Sequence, residues 1–460
     1  MSRKITCLII LLAVFVPVAA AQRKADFSAL EKAAVEELKA TNTPGAAVAI
    51  VEGDKVIFAK GFGLANVETG APVTPDMLFR LGSTTKMMTA TALVSLAEEG
   101  RIKLDEPVGK HVKGLSPGLA RLTVHQLLSH TAGLKDEAPM QGPHDDSALG
   151  ARVRGWTDDF IIFEPGRIFS YSNPGYALAG LLLEEVGGKP YGDVMAVRLF
   201  QPLGMKRSTL RPTMAMTWPL AQGHESRPGR APEIIRPAAD YAGGWPAGSV
   251  YTSAEEFARF TIAFMNGGRI EGQQAISPAV IAKLSEPNVE TYGEEDARYG
   301  YGLMVTRRRG VRLLRHGGSR AGYGSMVMMA PEQRVAVIIL GNRSGASLPK
   351  TAEAALELVL PLQPVSEGKP KPVPMTATEM AGYCGVYANA GDRVEIFARD
   401  GRLFARRSDG EVEVNKIGDR RFVTSRGARL ALVPGSSGRA EYLILGGRAR
   451  RLVKPAATRP

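Results

Sequence analysis

Ser83 and Lys86 lie three positions apart. On a helix this spacing sets a hydroxyl and an amine one turn apart on the same face, so the amine can take the hydroxyl proton and leave a nucleophilic oxygen. The spacing alone is common, and Ser347-x-x-Lys350 and Ser366-x-x-Lys369 repeat it in the same chain. Context separates them. Ser347 precedes Pro349 and a helical run, where capping that helix is a sufficient role, and Ser366 falls in a proline-rich stretch. Two rival chemistries lack their signatures. None of the six histidines makes a close His/Glu pair of metal-ligand spacing, so no metal or other cofactor is expected. No Gly-x-Ser-x-Gly elbow occurs, which argues against a Ser-His-Asp hydrolase of that design.

The elements that must position these groups can be read from pattern. Helix formers dominate from Thr84 to Glu99, and Gly100 stands where a C-terminal cap belongs, so Ser83 is expected at a helix N-terminus. Upstream, Phe27 to Ala40 carries apolar residues at helical spacing. Ala46 to Val51 and Val56 to Ala59 are β-rich runs joined across Gly53-Asp54, a pair suited to a tight hairpin. Residues from about Leu104 to Asn288 are rich in short helical patterns, Gly and Pro, and are read as an inserted, mainly helical region. Strand character returns at Val311 to Arg315, Ser325 to Ala330 and Val335 to Leu340, followed by a helical run from Thr351 to Leu360. Strands and a helix at both ends of this unit imply one sheet built from distant segments, with helices against it.

Three strings around the candidate residues add weight through their order. Phe79-Arg80-Leu81-Gly82-Ser83-Thr84-Thr85-Lys86 resembles the nucleophile motif of class C β-lactamases, serine penicillin-binding proteins and their esterase and D-amino peptidase relatives. Tyr171-Ser172-Asn173, in an exposed Pro-Gly-rich setting, resembles the Tyr-x-Asn motif of that family. His316-Gly317-Gly318 resembles its third motif, which is Lys-Thr-Gly in typical β-lactamases and His-x-Gly in many esterase-like members. Two strings without a chemical role also fit, Leu127 to Leu134 and Ala242-Gly243-Gly244 running into Ser253 to Phe260. The resemblance covers roughly residues 25 to 360.

This resemblance implies an α/β fold of the β-lactamase/transpeptidase type, an antiparallel sheet flanked by helices with the helical region inserted. It implies that Ser83 attacks a carbonyl carbon, that Lys86 accepts its proton and that Tyr171 relays a proton to the leaving group. Asn173 would orient the substrate amide or Lys86. Backbone N–H groups of Ser83 and Ser319 would hold the oxyanion, and Gly317 and Gly318 would let substrate approach the strand beside His316. Lys and Tyr have reference pKa values near 10, so a base useful near pH 7 needs a downward shift of about 3 units, roughly 4 kcal/mol, which burial beside other cations can supply. His130 and His125 are read as structural. The implied activity is hydrolysis of esters or peptide-like (D-amino) amides. The alternatives are a β-lactamase or D-Ala-D-Ala carboxypeptidase and, in another class, a catalytically silent penicillin-binding or sensor protein.

At 460 residues the chain exceeds the usual size of one hydrophobic core. Arg3 and Lys4, an apolar run from Ile5 to Val18 and Ala19-Ala20-Ala21 give residues 1–21 the form of a signal peptide, hence an exported, periplasmic or secreted protein. Residues 22–360 are read as the hydrolase domain and 361–375 as a proline-rich linker. Residues 376–460, short β-like runs separated by turn pairs, are read as a small all-β, lipocalin-like barrel. With 44% apolar and 23% charged residues, a largely disordered chain is excluded. The net charge of +12 does not point to nucleic acid. Arg399, Arg402, Arg406, Arg407, Arg420 and Arg421 are spaced among apolar residues as on solvated strand faces, and no nucleic-acid-binding motif accompanies them. The expected partners are small-molecule ester, peptide or β-lactam substrates, with room left for peripheral contact with the cell envelope.

Overall fold

The structure is a computed structural model that describes residues 26–294, 296–364, 371–389 and 392–455; the signal segment and the middle of the linker lie outside the described residues. The main sheet has eight strands, all antiparallel. Lys55–Gly63 and Gly45–Glu52 at the N-terminal end pair through Val335–Gly341 with Tyr323–Ala330 and Val311–Arg320, and Met304–Arg308, Arg298–Tyr299 and Val289–Glu290 complete the far edge. The central strands are covered on both faces, which is why Val335–Gly341 reads as an unbroken apolar run rather than an alternating one.

Alternate residues sort to the two layers. Val48, Ile50, Val337 and Ile339 pack against the helices Ser28–Ala40 and Pro349–Val359 on one face. Ala47, Ala49, Ile338 and Leu340 join the larger core on the other face, with the helices Thr85–Glu98 and Ala254–Met265 and the inserted helical region. The outer helices are tied by a buried carboxylate. Glu37 accepts hydrogen bonds from the backbone N–H groups of Lys350 (3.0 Å) and Thr351 (2.7 Å) and from the Thr351 hydroxyl (2.7 Å). It thereby satisfies the orphan donors at the start of Pro349–Val359. The capping role expected of Ser347 is thus filled by a residue from the other helix, because Leu348, at φ 45°, occupies the cap position and has no side chain to cap with. Glu37→Ala should therefore lower stability by about 2–3 kcal/mol, the loss of a charged cap that leaves buried donors unpaired. Thermal melts of the two proteins check this, and coincident melts would remove the capping role.

After a short helix, Ala377–Tyr383, eight strands from Gly385–Asn389 to Arg448–Pro455 pair in chain order and close into a barrel. Its centre is filled by side chains, including Tyr387, Ile396, Leu403, Phe422 and Leu443. The barrel does not stand apart from the other unit. Its last hairpin, Ala440–Leu445 and Arg448–Pro455, packs Tyr442, Ile444 and Ala449, together with Ala431 of the preceding strand, against Phe163 and Ile168 of the helical region. The hairpin turns at Gly446-Gly447, where both residues have positive φ, and this turn reaches the chemistry described next.

Candidate active site

Ser83 lies in a single tight turn, Gly82–Thr84, that runs directly into the helix Thr85–Glu98. The turn is fastened to the sheet by a chain of hydroxyls. Thr84 bonds Ser325 (2.7 Å), and Ser325 donates to the Leu81 carbonyl (2.6 Å). Gly318, on the neighbouring strand, has no room for a side chain, since an added Cβ would sit 1.8 Å from the Leu81 carbonyl oxygen. Gly318 lets the segment carrying Ser83 lie on the strand, whereas a Cβ on Gly317 would meet Met326 Cε at 3.3 Å and the Ser325 carbonyl oxygen at 3.7 Å. The Ser319 amide nitrogen packs against Gly82, next to Ser83, so two backbone segments flank the serine where an oxyanion would form.

One turn along the helix, the fully buried Lys86 amine makes three contacts. It donates to Asn173 Oδ1 (2.8 Å) and the Ala247 carbonyl (2.7 Å), and Ser83 Oγ lies 3.3 Å away. The two shorter partners can only accept. A neutral amine would use both of its protons on them and present its lone pair to the Ser83 hydroxyl, the orientation a general base requires. Burial drives the Lys86 pKa well below its ordinary value. Asp136 pulls it back up, and Arg448 and Arg320 push it further down. Asn173 is thus in hydrogen-bond contact with Lys86, the contact that one of the two roles expected for it requires.

Tyr171 stands just before Ser172, whose hydroxyl caps the helix Asn173–Gly187 by accepting from Gly175 N–H (3.3 Å). Both flanks of Tyr171 are pinned to His130. The His130 carbonyl accepts from Ser170 N–H (2.9 Å), and its Nδ1 accepts from Ser172 N–H (3.1 Å). The His130 ring also packs on that of Tyr171, with centroids 4.2 Å apart. This accords with a structural histidine. Burial raises the Tyr171 pKa, so the hydroxyl stays protonated; the neighbouring Ser83 acts in the opposite sense, yet the hydroxyl has no well-aligned hydrogen-bond partner among the described residues. A protonated, uncommitted hydroxyl beside Ser83 can donate to a departing group.

His316 is buried and held at both nitrogens, by the Gly317 carbonyl at Nδ1 (2.7 Å) and the Tyr299 hydroxyl at Nε2 (3.0 Å). Since the carbonyl only accepts, Nδ1 carries the proton and Nε2 accepts from tyrosine. Burial, then the nearby Lys86, depress its pKa to about 3, so it is neutral at working pH. A cavity of ≈580 Å³ opens beside these groups, walled by Ser83, Tyr171, His316 and Met326 on one side and by Gly447 and Arg448 of the barrel turn on another. A larger surface groove, ≈840 Å³, is lined by none of these residues; of its arginines, Arg207 and Arg259 are paired with acids and Arg269 and Arg334 bond to Gln274 and Asn266.

All eight residues singled out in the sequence meet at this place. Asp136 and Arg448 were missed. Asp136 lies two residues past the string ending at Leu134, and Arg448 lies in the barrel, where no spacing connects it to a motif 277 residues earlier, the separation of Tyr171 and Arg448 in the chain. The Tyr171 N–H donates to the Gly447 carbonyl (2.9 Å), and the Ala449 N–H donates to the Ser170 hydroxyl (3.2 Å). The site, whose motifs all precede Pro361, thus also receives contacts from the barrel turn.

A sheet of this order thus brings Ser83, Lys86, Tyr171 and His316 together at one cleft. Residues 30–360 match the β-lactamase family model, and the chain belongs to that family. It is 26% identical over 328 residues to the flp protein of Staphylococcus aureus strain MW2, covering 69% of this chain and 63% of that protein, so it spans less than two thirds of the length of that relative. Penicillin-binding protein 4 of Amycolatopsis lactamdurans is 29% identical over 312 residues, covering 65% of this chain and 81% of that one. Among solved structures, SurE superposes with a TM-score of 0.76 at 25% identity, covering 92% of this chain and 98% of its own, so that likeness extends into the barrel.

Proposed function

We propose that the protein is a serine hydrolase that forms an acyl-enzyme on Ser83 with esters or peptide-like amides, D-amino amides among them. The observation that carries this reading is the Lys86 amine, whose two shorter hydrogen bonds go to groups that only accept and whose third direction faces Ser83. Lys86 takes the serine proton as Ser83 adds to the carbonyl. The oxyanion is received by the Ser83 and Ser319 amides, and Tyr171 passes a proton to the leaving group. Water then releases the acyl group by the reverse series of proton transfers. A reading as a silent sensor has less support, since the serine, base and proton donor all stand in reacting order. Export to the periplasm or medium belongs to the same proposal and rests on residues 1–21.

The substrate preference rests on His316. A third-motif lysine would keep a permanent cation where a β-lactam carboxylate lies in the family, and a neutral histidine does not. Arg448 and Arg315 on the cavity wall favour the second reading, a β-lactamase or D-alanyl carboxypeptidase, but each is paired with an acid, Asp136 and Glu294. Support for amides of D-residues comes from SurE, one structure of which contains D-leucine. Comparing kcat/KM for a p-nitrophenyl ester, a D-alanyl amide and a chromogenic cephalosporin tests the order. The cephalosporin is expected to be slowest, and His316→Lys to raise the cephalosporin-to-ester ratio roughly ten- to a hundredfold by restoring a charge-assisted bond. A wild type fastest on the cephalosporin would make antibiotic hydrolysis the function.

A further inference from the structure

The orientation of Lys86 is set by Asn173, and Asn173 is itself held. Asp136 Oδ1 accepts from the Asn173 backbone N–H (2.8 Å) and from its side-chain Nδ2 (3.0 Å). With Nδ2 committed to a carboxylate, the amide oxygen must face the Lys86 amine; a flipped amide would set like against like at both ends. The other oxygen of Asp136 accepts from Arg448 Nε (2.7 Å) and pairs with its Nη2. The Arg448 guanidinium also lies over the Tyr171 ring, 5.5 Å from its centroid, and the Lys86 amine lies 4.8 Å from the same centroid. A line of contacts therefore runs from the barrel turn through Arg448, Asp136 and Asn173 to the amine.

Resting on Lys86 as the base, we propose that Arg448 and Asp136 are positioning residues, and that the barrel hairpin uses this ion pair to keep Lys86 aligned and uncharged for proton transfer. Asp136 is needed to fix the Asn173 amide, yet a bare carboxylate there favours the ammonium form of Lys86, the wrong form for a base. Arg448 offsets that charge while leaving the hydrogen bonds in place. The other groups facing Lys86 supply no second anion among the described residues. Arg320 is cationic, His130 and His316 are kept neutral by burial, and Tyr171 and Tyr176 are kept protonated by burial. The barrel is in this sense part of the base.

The signs follow from which charge is removed. Arg448→Gln strengthens the pull of Asp136 on the ammonium, so the acid limb of kcat/KM should move to higher pH by about one unit. Asp136→Asn should move it to lower pH, and the double variant should return it close to the wild-type position. Arg448→Lys, which keeps the cation, should hold the limb in place. The test is the pH profile of kcat/KM for a neutral p-nitrophenyl ester, which offers Arg448 no anion to bind, with circular dichroism confirming each fold; the pH dependence of fluorophosphonate labelling reads the same limb if turnover is slow. Limbs that coincide in all five proteins while hydrolysis still requires Ser83 would overturn this proposal alone. Hydrolysis that survives Ser83→Ala would instead overturn the proposed function. A fall in kcat with an unmoved limb would reduce Arg448 to a structural contact and likewise overturn the proposal.

Discussion

Replacing Ser83 with alanine should lower kcat by at least about a thousandfold while leaving the fold intact, the scale found when a nucleophile is deleted and only binding and oxyanion contacts remain. Lys86→Met should fall as far. Because the proposed mechanism joins the two groups in a single proton-transfer step, the double variant should be no slower than either single one. The loss should lie in kcat rather than KM, since neither residue needs to touch the substrate until reaction begins. Ser83 is only partly buried, so its hydroxyl can be removed with little effect on melting temperature, whereas Lys86 is fully enclosed and its replacement needs a folding control. A folded Ser83→Ala protein that keeps most of its activity would end the assignment of the nucleophile.

Gly318→Ala is expected to cost at least about a hundredfold in kcat/KM, although it adds one methyl group and touches no reacting atom. Its Cβ would lie 1.8 Å from the Leu81 carbonyl oxygen and 2.3 Å from Ser325 Oγ, the two groups that fasten the nucleophile turn to the sheet. Neither can retreat without moving Ser83, because a packed interior transmits a shift rather than absorbing it. Gly317→Ala is the control. Its Cβ meets the flexible end of Met326 at 3.3 Å and the Ser325 carbonyl oxygen at an ordinary 3.7 Å, and activity should stay within about tenfold of wild type. Equal losses at both positions would show that the strand, and not the Leu81 contact, is the sensitive element.

The parts of the site that were legible in the sequence are those whose chemistry is local. Ser83 and Lys86 share one helical face, so their spacing alone encodes their contact, and Gly100 marks where that helix stops. Tyr171 is followed at once by a capped helix start, again a local signal. The strand carrying His316 was read only as far as Arg315, yet it runs on through His316, Gly317, Gly318 and Ser319 to Arg320. Two adjacent glycines have poor strand propensity, and here the close packing of the Leu81 segment overrides it. The short edge strands Val289–Glu290 and Arg298–Tyr299 gave too few residues to show alternation. Asp136, Glu37 and Arg448 act on backbone or side chains brought near only by the fold. Glu37 reaches Thr351 across 314 positions and Arg448 reaches Asp136 across 312, and no periodicity spans such distances.

Labelling the intact protein with a fluorescent alkyl phosphonate, followed by digestion and mass measurement of the modified peptide, reads the nucleophile without any knowledge of the natural substrate. One phosphonate should be taken up per chain, on the peptide containing Ser83, at a rate that falls as the pH drops and Lys86 is protonated, and Ser83→Ala should take up none. Label carried by another residue, or uptake undiminished in a folded Ser83→Ala protein, would contradict the assignment of Ser83 and Lys86 as the acylating pair.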